Sequence, residues 1–355
     1  MKFSVADSIK EIPYYPKAAL YGSEAGWTRL ASNENPFPPS AKVLNALLEG
    51  IFDVTRYPES EFELKTRIAG KYGLQPENVI VGNGSNELIE SALRAARYDT
   101  RNRVVLHEPS FAFYAIAARI YGYEPVAIRF PELTVRLEEI AERVNGSTRV
   151  IFLNNPNNPT GTIFDDTSFK SFLDRLPADV LVVVDEAYAE FATSEAFPKS
   201  VRYIRDYPVL VLRTFSKAYG LAGLRVGYGL ADSNLASYIE RTKQPFSVNM
   251  MALVAAKAAL DDEPYVTKVL ANNEKGKAFF YDLFRELGLS YLPTEANFVL
   301  FHAGPQAETV TRKLFEQKIL VRWMGAYGLP EHIRVTVGTV DENKTFAEGL
   351  KRSIE

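Results

Sequence analysis

The sequence predicts an α/β protein in which a mostly parallel β-sheet is flanked by helices and is followed by a smaller α+β domain. Between residues 40 and 230, short apolar runs rich in valine and leucine alternate with stretches whose apolar residues recur at helical spacing. The short runs are apolar without interruption, which is typical of parallel strands covered by helices on both faces. After Pro245 the alternation stops, and a long helical pattern precedes more widely spaced strands.

The first 30 residues differ from the rest of the chain. Prolines and glycines are interspersed there with Phe3, Tyr14, Tyr15, Tyr21 and Trp27, and no periodic pattern is sustained. We therefore predict an N-terminal arm rather than a core element. The predicted divisions are an arm at residues 1–30, a large ligand-binding domain at 31–245 and a small C-terminal domain at 246–355.

Apolar periodicity and turn residues predict the individual elements of both domains. The strands predicted for the large domain are Val79–Val81, Val104–Leu106, Val126–Ile128, Val150–Leu153, Val180–Val184 and Val209–Leu212. The helices predicted there include Ser40–Glu49, Glu61–Tyr72 and Asn86–Arg97. The small domain is predicted to contain a long helical stretch at 246–287, strands at Tyr291–Phe301, Leu320–Arg322 and His332–Val337, and helices at Ala307–Gln317 and Glu342–Arg352.

The composition is that of an ordinary globular protein of about two domains, with 355 residues of which 46% are apolar. Acidic and basic residues are mixed throughout and the net charge is -3, so neither nucleic acid nor an anionic membrane is an expected partner. The absence of cysteine excludes disulfides and thiolate catalysis and fits a cytoplasmic location. The charged start, MKFSVADSIKEI, and the lack of long apolar runs predict neither a signal peptide nor a membrane span.

Lys217 is the first candidate for chemistry because it follows the carboxyl end of the predicted strand Val209–Leu212. Ligands of open α/β sheets bind at that edge. Burial and a neighbouring cation such as Arg225 can lower the pKa of a lysine, and a neutral amine can attack a carbonyl to form a Schiff base. Taken alone, a lysine after a serine in such a loop is more often an ordinary surface lysine, which is the alternative interpretation.

A glycine turn precedes the predicted helix at Asn86. Gly82 and Gly84 allow a tight turn, so that backbone amides and the hydroxyl near Ser85 face outward at the start of a helix, where phosphate binds well. The turn lacks the lysine of a Walker loop and the third glycine of a dinucleotide fingerprint, which disfavours a nicotinamide dehydrogenase. A strand-to-helix turn capped by Ser85 is the alternative interpretation.

Two further groups follow neighbouring strands. Two prolines stiffen the loop Asn154–Gly161, which would hold Asn157 as a neutral hydrogen-bond donor at the ligand edge. Asp185 follows a wholly apolar strand, so its carboxylate requires a cation, which could be a metal, an arginine or a protonated heterocycle. The three histidines are scattered without ligand spacing, which disfavours a metal.

These groups together fit one ligand. The glycine turn would bind a phosphate, Asp185 a ring cation, Asn157 a ring oxygen and Lys217 a carbonyl, and pyridoxal phosphate carries all four groups. Arginines at Arg225, Arg322 and Arg334 could bind carboxylate or phosphate, although strand arginines are often simply solvated.

Several motifs in a fixed order resemble those of the fold-type I aminotransferases, and among them the histidinol-phosphate aminotransferase family. The motifs are Ile12–Lys17, Leu30–Pro36, Arg56–Pro58, Gly82–Glu87, Asn155–Gly161, Val184–Tyr188, Arg213–Gly227 and Ile333–Thr339. The resemblance covers essentially the whole chain and implies a seven-stranded sheet in the large domain. It also implies that residues 31–245 bind pyridoxal phosphate.

The resemblance assigns roles to matching residues. Lys217 would bind the cofactor covalently and later move a proton, and Asp185 would pair with the pyridinium nitrogen. Asn157 and Tyr188 are implied to bond the ring oxygen. The residues implied to hold the cofactor phosphate are Ser85, Asn86, Ser216 and Arg225. Tyr57 is implied to reach the phosphate of the neighbouring subunit's cofactor. The Tyr57 role implies a homodimer with shared sites. Phe111 stands at the ring-stacking position, where many relatives have tyrosine, so it is expected to stack without a hydrogen bond.

The implied reaction transfers an amino group between histidinol phosphate and 2-oxoglutarate in histidine biosynthesis. One pocket must then accept a phosphate and a carboxylate, for which we expect Arg322 and Arg334, closed over by Tyr14 and Asn33. The nearest alternatives are an aromatic amino-acid aminotransferase or a threonine-phosphate decarboxylase of the same fold. A non-catalytic α/β ligand-binding protein with a structural Lys217 is the alternative from another class.

Overall fold

A computed structural model describes residues 4–5, 7–16, 26–97 and 100–355. Residues 1–3, 6 and 17–25 of the predicted arm lie outside the described residues. The α-helices are α1 (Asp7–Lys10), α2 (Ala41–Gly50), α3 (Phe62–Tyr72), α4 (Gly84–Ala95), α5 (Phe113–Ile120), α6 (Leu137–Glu142), α7 (Asp166–Asp174), α8 (Ser233–Glu240), α9 (Met250–Leu260), α10 (Glu263–Glu286), α11 (Ala307–Glu316) and α12 (Val340–Ile354). The strands are β1 (Thr28–Arg29), β2 (Val79–Gly82), β3 (Arg103–Glu108), β4 (Glu124–Arg129), β5 (Thr148–Asn154), β6 (Leu181–Asp185), β7 (Val209–Thr214), β8 (Gly227–Leu230), β9 (Phe298–His302), β10 (Ile319–Leu320), β11 (Arg322–Trp323) and β12 (His332–Thr336). None of the helices described here is both long and apolar enough to cross a membrane.

The larger sheet has seven strands in the order β2-β8-β7-β6-β5-β3-β4. The pairs from β7 through β6, β5 and β3 to β4 are parallel, and β8 runs antiparallel to both of its neighbours. The predicted α/β fold with a mostly parallel seven-stranded sheet is therefore confirmed. The carboxyl ends of β5, β6 and β7 lie side by side, because Asn154 pairs with Asp185 and Asp185 with Leu212.

Strand periodicity missed β8, whose sequence is Gly-Tyr-Gly-Leu. A Cβ at Gly227 would lie 2.7 Å from the backbone nitrogen of Ser85, and one at Gly229 would lie 2.9 Å from Leu210. Side chains are excluded because β8 passes against the start of α4 and the adjacent strand. The glycines that weaken the strand pattern in the sequence are thus required by close packing.

Apolar residues are buried on both faces of the larger sheet. Along β5, Val150 and Phe152 belong to one core with α4, α5 and α8, whereas Ile151 and Leu153 belong to the other core with α3, α7 and α9. Successive side chains of a strand point to opposite faces, so an uninterrupted apolar run fills both cores. This arrangement explains why the strands carry polar residues at their ends.

A second sheet, β11-β12-β9, is antiparallel and packs on α10, α11 and α12. The strand predicted at Tyr291–Phe301 is shorter in the structure, where Tyr291 forms an isolated bridge to Phe301. β1, at the end of the predicted arm, pairs in parallel with β10. This two-stranded sheet anchors the chain to the C-terminal part of the protein before it enters the large domain.

The long helical stretch predicted at 246–287 consists of two helices, α9 and α10. A new helix begins after Asp262, whose side chain caps α10 by accepting a hydrogen bond from Tyr265 N. Pro264 in the first turn of α10 also favours a helix start. α9 packs on α2 and contributes Ala252, Leu253 and Ala256 to a core of the larger sheet. The domain boundary at residues 245 and 246 stays a prediction, with α9 packed on the large-domain side of it.

A buried ion pair joins β6 and β7 beside their carboxyl ends. Arg213 donates to Glu186 Oε2 through Nη2 at 2.6 Å, and its Nη1 lies 3.3 Å from Glu190 Oε1. The Glu186 side chain is fully buried and that of Arg213 is 13% exposed. Because Glu186 directly follows Asp185, this pair fixes the strands where the candidate site begins.

Candidate active site

A cavity of about 480 Å³ lies at the carboxyl ends of β5, β6 and β7, between the two sheets. It brings together most of the residues that the sequence singled out. The predicted residues that line it are Asn33, Ser85, Asn86, Phe111, Asp185, Tyr188, Ser216, Lys217, Arg225, Arg322 and Arg334. Within the described residues, no cluster of three or more histidine, aspartate or glutamate side chains could hold a metal ion.

Lys217 follows β7 and presents its amine to the cavity. Its Nζ donates to Ser32 O at 3.1 Å, and Asn35 Nδ2 holds the next residue by donating to Ala218 O at 3.0 Å. Burial, followed by the positive charge of Arg334, lowers the pKa of Lys217 to about 8. A larger neutral fraction of the amine near neutral pH makes it a nucleophile and a base.

Asp185 ends β6 and is 3% exposed. Oδ2 accepts a hydrogen bond from the Tyr114 hydroxyl at 2.8 Å, and Oδ1 accepts one from the Ala187 backbone at 3.1 Å. Burial raises the pKa of Asp185 to about 6. Both donors are neutral, so the arrangement suits a ligand that brings its own positive charge.

The start of α4 forms an anion cradle. Gly84 adopts φ +72, and a Cβ there would lie 2.6 Å from Arg225 Nη2, so the guanidinium comes close to the helix N-terminus only because that residue is glycine. Ser85 and Asn86 line the cavity in the first turn of α4, a 12-residue helix, and Ser216 lines it from the loop after β7. Arg225 Nη1 lies 3.4 Å from Ser216 Oγ. Free amides, hydroxyls and a guanidinium together favour a phosphate.

Two arginines of the second sheet lie side by side in the cavity lining. Arg322 of β11 and Arg334 of β12 are direct cross-strand partners. Arg334 is 5% exposed, donates to Asn158 Oδ1 and at 2.6 Å to Ala31 O, and keeps a buried Nε without a partner among the described residues. Arg322 donates to Pro16 O. Like charges opposite each other are unfavourable unless an anion lies between them, which indicates a second anion subsite.

The comparisons with known proteins agree with this geometry. The family model described as Aminotransferase class I and II matches residues 25–350. The chain belongs to this aminotransferase family. It is 43% identical over 330 residues to histidinol-phosphate aminotransferase 2 of Carboxydothermus hydrogenoformans, covering 92% of this chain and 91% of that protein. It is 41% identical over 328 residues to the histidinol-phosphate aminotransferase of Symbiobacterium thermophilum, covering 92% and 90%.

A solved structure supports the same assignment. The crystal structure of histidinol-phosphate aminotransferase from Sinorhizobium meliloti, in complex with pyridoxal-5'-phosphate, is 28% identical, with a TM-score of 0.87 over 92% of this chain and 90% of that chain. The aminotransferase fold type I is therefore confirmed for this chain.

The loop after β5 presents a different asparagine to the aminotransferase cavity from the one expected. Asn157 does not line the cavity; its Nδ2 donates to Pro109 O at 3.0 Å and to Thr160 Oγ1 at 2.9 Å. Asn158, the next residue, does line it, and its Oδ1 accepts from Arg334. The physical reason is that contacts to Pro109 and Thr160 hold the Asn157 side chain inside the loop. Asn158 is therefore the asparagine of this pair that reaches the cavity, and the cofactor-binding role expected of Asn157 stays a prediction.

Three aromatic predictions have different outcomes in the aminotransferase. Phe111 lines the cavity, as a stacking residue should. Tyr14 is 99% exposed and outside the cavity lining, whereas its neighbour Tyr15 lines the cavity and meets Phe111 edge-on at 6.0 Å. Tyr57 is 79% exposed and also outside the lining of this subunit. The substrate role of Tyr14 and the intersubunit role of Tyr57 stay predictions.

Tyr188 and Asn33 form one unit in the site. Asn33 Nδ2 donates to the Tyr188 hydroxyl at 2.9 Å, and Asn33 also bonds Thr336 through its backbone nitrogen at 3.0 Å. Asn33 is 1% exposed, so it is a fixed part of the wall. Burial raises the pKa of Tyr188 to about 12, which keeps its hydroxyl protonated as a donor.

Sequence reasoning missed several lining or supporting residues of the aminotransferase site, notably Tyr15, Tyr114, Asn158 and Tyr327. Tyr114 had the clearest signal. It is a tyrosine among the apolar residues at the start of α5, and a buried phenol requires a hydrogen-bond partner. The other three gave no signal beyond their nearness to residues already chosen.

The lowered pKa of Lys217 gives a testable pH dependence. We expect the rate at which Lys217 is modified by a small aldehyde with cyanoborohydride to rise between about pH 7 and 9, with a midpoint near 8. In the Arg334→Ala protein the midpoint should move to higher pH. The positive charge of Arg334 disfavours the protonated amine, and the substitution removes that charge. Peptide mass spectrometry of Lys217 measures the rate, and exposed Lys199 serves as the control. Equal midpoints for Lys217 and Lys199 would contradict the assigned environment.

Proposed function

We propose that this protein is a pyridoxal phosphate-dependent transaminase that moves an amino group between L-histidinol phosphate and 2-oxoglutarate in histidine biosynthesis. The observation that carries the proposal is one cavity in which a lysine amine, an uncompensated buried carboxylate and two separate anion subsites converge. The names of the 43% and 41% identical relatives support the choice of substrate. The cytoplasmic location predicted from the sequence stays a prediction.

The residues present fit pyridoxal phosphate. The cradle at Ser85, Asn86, Ser216 and Arg225 would hold its phosphate, and the Asp185 carboxylate, bonded only to neutral donors, would pair with its ring nitrogen. Further contacts would come from Asn158 and Tyr188 to the ring oxygen and from Phe111 to the ring face. When bound, the cofactor supplies an electron sink for the pair released as the substrate Cα–H bond breaks.

The chain's own residues would carry out the proton movements. Lys217 Nζ would take the proton from the substrate carbon and donate it again later in the amino-group transfer. Its lowered pKa, close to neutral pH, suits it to act as this base. Asp185 would stay ionised beside the ring cation, because a bonded cation favours the charged form of a carboxylate. Arg322 and Arg334 would orient the substrate through its distal anion.

One anion subsite must serve two substrates. Histidinol phosphate carries a phosphate and no carboxylate, whereas glutamate carries two carboxylates. The unpartnered Nε of Arg334 and the cross-strand Arg322 offer guanidinium donors that accept either anion. Tyr15 and Tyr327 line the same end of the cavity and would close around the substrate.

A donor screen with 2-oxoglutarate as the acceptor tests the proposal. We expect kcat/KM for histidinol phosphate to exceed that for phenylalanine, and threonine phosphate to give no carbon dioxide. Faster turnover of phenylalanine would indicate an aromatic amino-acid aminotransferase. Decarboxylation of threonine phosphate would indicate the decarboxylase instead. Absence of a visible cofactor band in the purified protein would overturn the enzyme assignment altogether.

Arg334→Ala is expected to raise KM for histidinol phosphate and for glutamate alike by about 10- to 100-fold, since each loses a charged hydrogen-bonding partner. Arg334→Lys keeps the charge but loses the two parallel donors, so its effect should be intermediate. Steady-state kinetics of both half-reactions measure the change. Unchanged KM for both substrates in Arg334→Ala would refute the shared anion subsite.

We also propose a homodimer with shared sites. Large apolar side chains are exposed along α2, the turn after it and the start of α3, including Leu48, Ile51, Phe52, Tyr57 and Phe62 at 51–85% exposure. The Tyr57 ring also lies 4.7 Å from that of exposed Phe246. A cluster of large exposed apolar side chains is typical of a subunit interface. In the dimer, Tyr57 would reach the cofactor phosphate of the partner.

Phe52→Glu tests the dimer, because a charge placed in an apolar interface is costly to bury. We expect the molar mass measured by light scattering to fall from a dimer to a monomer at micromolar concentration, with loss of activity. Tyr238→Glu replaces another exposed aromatic side chain, on α8, and should leave the mass unchanged. A wild-type protein that is monomeric at the same concentration would contradict the proposal.

A further inference from the structure

Tyr114 is a buried tyrosine whose hydroxyl bonds the acid of the site. It lies in the first turn of α5, is 0% exposed and donates to Asp185 Oδ2 at 2.8 Å. A phenylalanine would fill the same space, and a buried hydroxyl costs free energy unless it is bonded. The tyrosine hydroxyl therefore makes physical sense only through its bond to Asp185.

The Tyr114 ring is itself fixed on two sides. It stacks on Phe152 of β5 with 4.9 Å between ring centroids and 4° between planes. It also meets Phe111 at 5.4 Å and 82°. One rigid side chain thus touches both the residue expected to stack on the cofactor ring and the carboxylate expected to pair with its nitrogen.

Few charged or titratable groups face the Asp185 carboxylate besides Tyr114. The other charged or titratable groups that face it are Lys217, Glu186 and Tyr188. Of these, Glu186 opposes ionisation of Asp185, and Lys217 favours it through space without a hydrogen bond. The donors that bond the carboxylate are Tyr114 and the Ala187 backbone, so a change at Tyr114 removes the one side-chain donor among the described residues.

We propose that Tyr114 is a positioning residue that holds the Asp185 carboxylate ionised and aimed at the cavity before the cofactor binds. The inference rests on the proposed function, because it assumes that Asp185 pairs with the ring cation of pyridoxal phosphate. Tyr114 lies behind Asp185 and outside the cavity lining, and its hydroxyl, rather than its ring, is the group that holds the Asp185 carboxylate.

Tyr114→Phe tests the hydroxyl alone. Apoenzyme is titrated with pyridoxal phosphate between pH 6 and 9, and Kd is obtained from quenching of protein fluorescence. We expect Kd to rise about tenfold, as for loss of one hydrogen bond to a charged group. The acidic limb of the Kd profile should move to higher pH, because loss of the donor favours the protonated, neutral form of Asp185.

Tyr123→Phe is the matched control. Tyr123 is 5% exposed and its hydroxyl donates to Leu93 O at 2.8 Å, away from the cavity lining. Both variants should lose similar thermal stability, and only Tyr114→Phe should change Kd. A purely structural role for Tyr114 would lower Tm in the same way but leave Kd within twofold of wild type at every pH.

A double-mutant cycle with Asp185→Asn completes the test. If Tyr114 acts through Asp185, adding Tyr114→Phe to Asp185→Asn should change Kd by less than about threefold, against about tenfold in the wild-type background. Equal effects in both backgrounds would overturn the inference while the cofactor assignment stands. A wild-type apoenzyme that does not bind pyridoxal phosphate would overturn the proposed function and this inference together.

Discussion

Lys217→Ala is expected to lower kcat for amino-group transfer by at least about four orders of magnitude, which is the upper range for loss of a positioned base. The amine is also the expected covalent partner of the cofactor, so its loss removes two functions at once. Its hydrogen bond in the resting protein is to Ser32 O, and its removal leaves the cavity wall otherwise intact. Steady-state and single-turnover kinetics with histidinol phosphate measure the effect.

Two controls separate chemistry from folding in the Lys217→Ala protein. Its Tm should be close to that of wild type, because no ion pair of Lys217 is broken among the described residues. Adding methylamine should recover part of the rate, since a small base can enter the space left by the side chain. Retention of more than about one hundredth of wild-type kcat would refute the assigned role of Lys217.

Arg213→Met is expected to lower the free energy of unfolding by about 3 to 5 kcal/mol, because it leaves two buried carboxylates without their cation. Glu186 is 0% exposed and Glu190 is 8% exposed at the side chain, so water cannot replace the guanidinium at either. Urea denaturation of the apoenzyme measures the loss. A decrease below about 1 kcal/mol, the usual worth of a surface pair, would contradict the burial seen here.

The Arg213→Met/Glu186→Gln protein is the informative companion of that variant. Removing both charges also removes the uncompensated carboxylate next to Asp185, so about half of the lost stability should return. Lys170→Met, in the exposed pair with Asp174, should have little effect.

The sequence was sufficient for six of the seven strands of the larger sheet, because those strands are apolar on both faces and stand out without tertiary information. The six strands predicted for it match β2 to β7, and the polar residues at their ends, Asp185 and Lys217, both line the cavity. β8 was missed because two of its four residues are glycines. Their cause is the contact with Ser85 and Leu210, and such a contact cannot be inferred from the local pattern.

The choice between Asn157 and Asn158 shows why side-chain direction could not be predicted. Both asparagines lie in the same stiff loop, and local propensity does not distinguish them. Their orientations follow from Pro109, 48 residues away, and Arg334, 176 residues away. Tyr14 and Tyr15 raise the same difficulty in the arm, where neither periodicity nor a turn signal indicates which ring faces the cavity.

The segment after β1, residues 30–32, connects strands of the C-terminal part of the chain with the Lys217 amine. Leu30 bonds β10 through its nitrogen, which donates to Leu320 O at 2.7 Å, and β12 of the second sheet through its carbonyl, which accepts from Thr336 N at 2.9 Å. Two residues later, Ser32 O holds the resting Lys217 amine. The resting Lys217 amine is therefore connected, through residues 30–32, to the sheet that carries Arg322 and Arg334. A rigid-body shift of that sheet would change the position of the Ser32 carbonyl to which the amine is bonded.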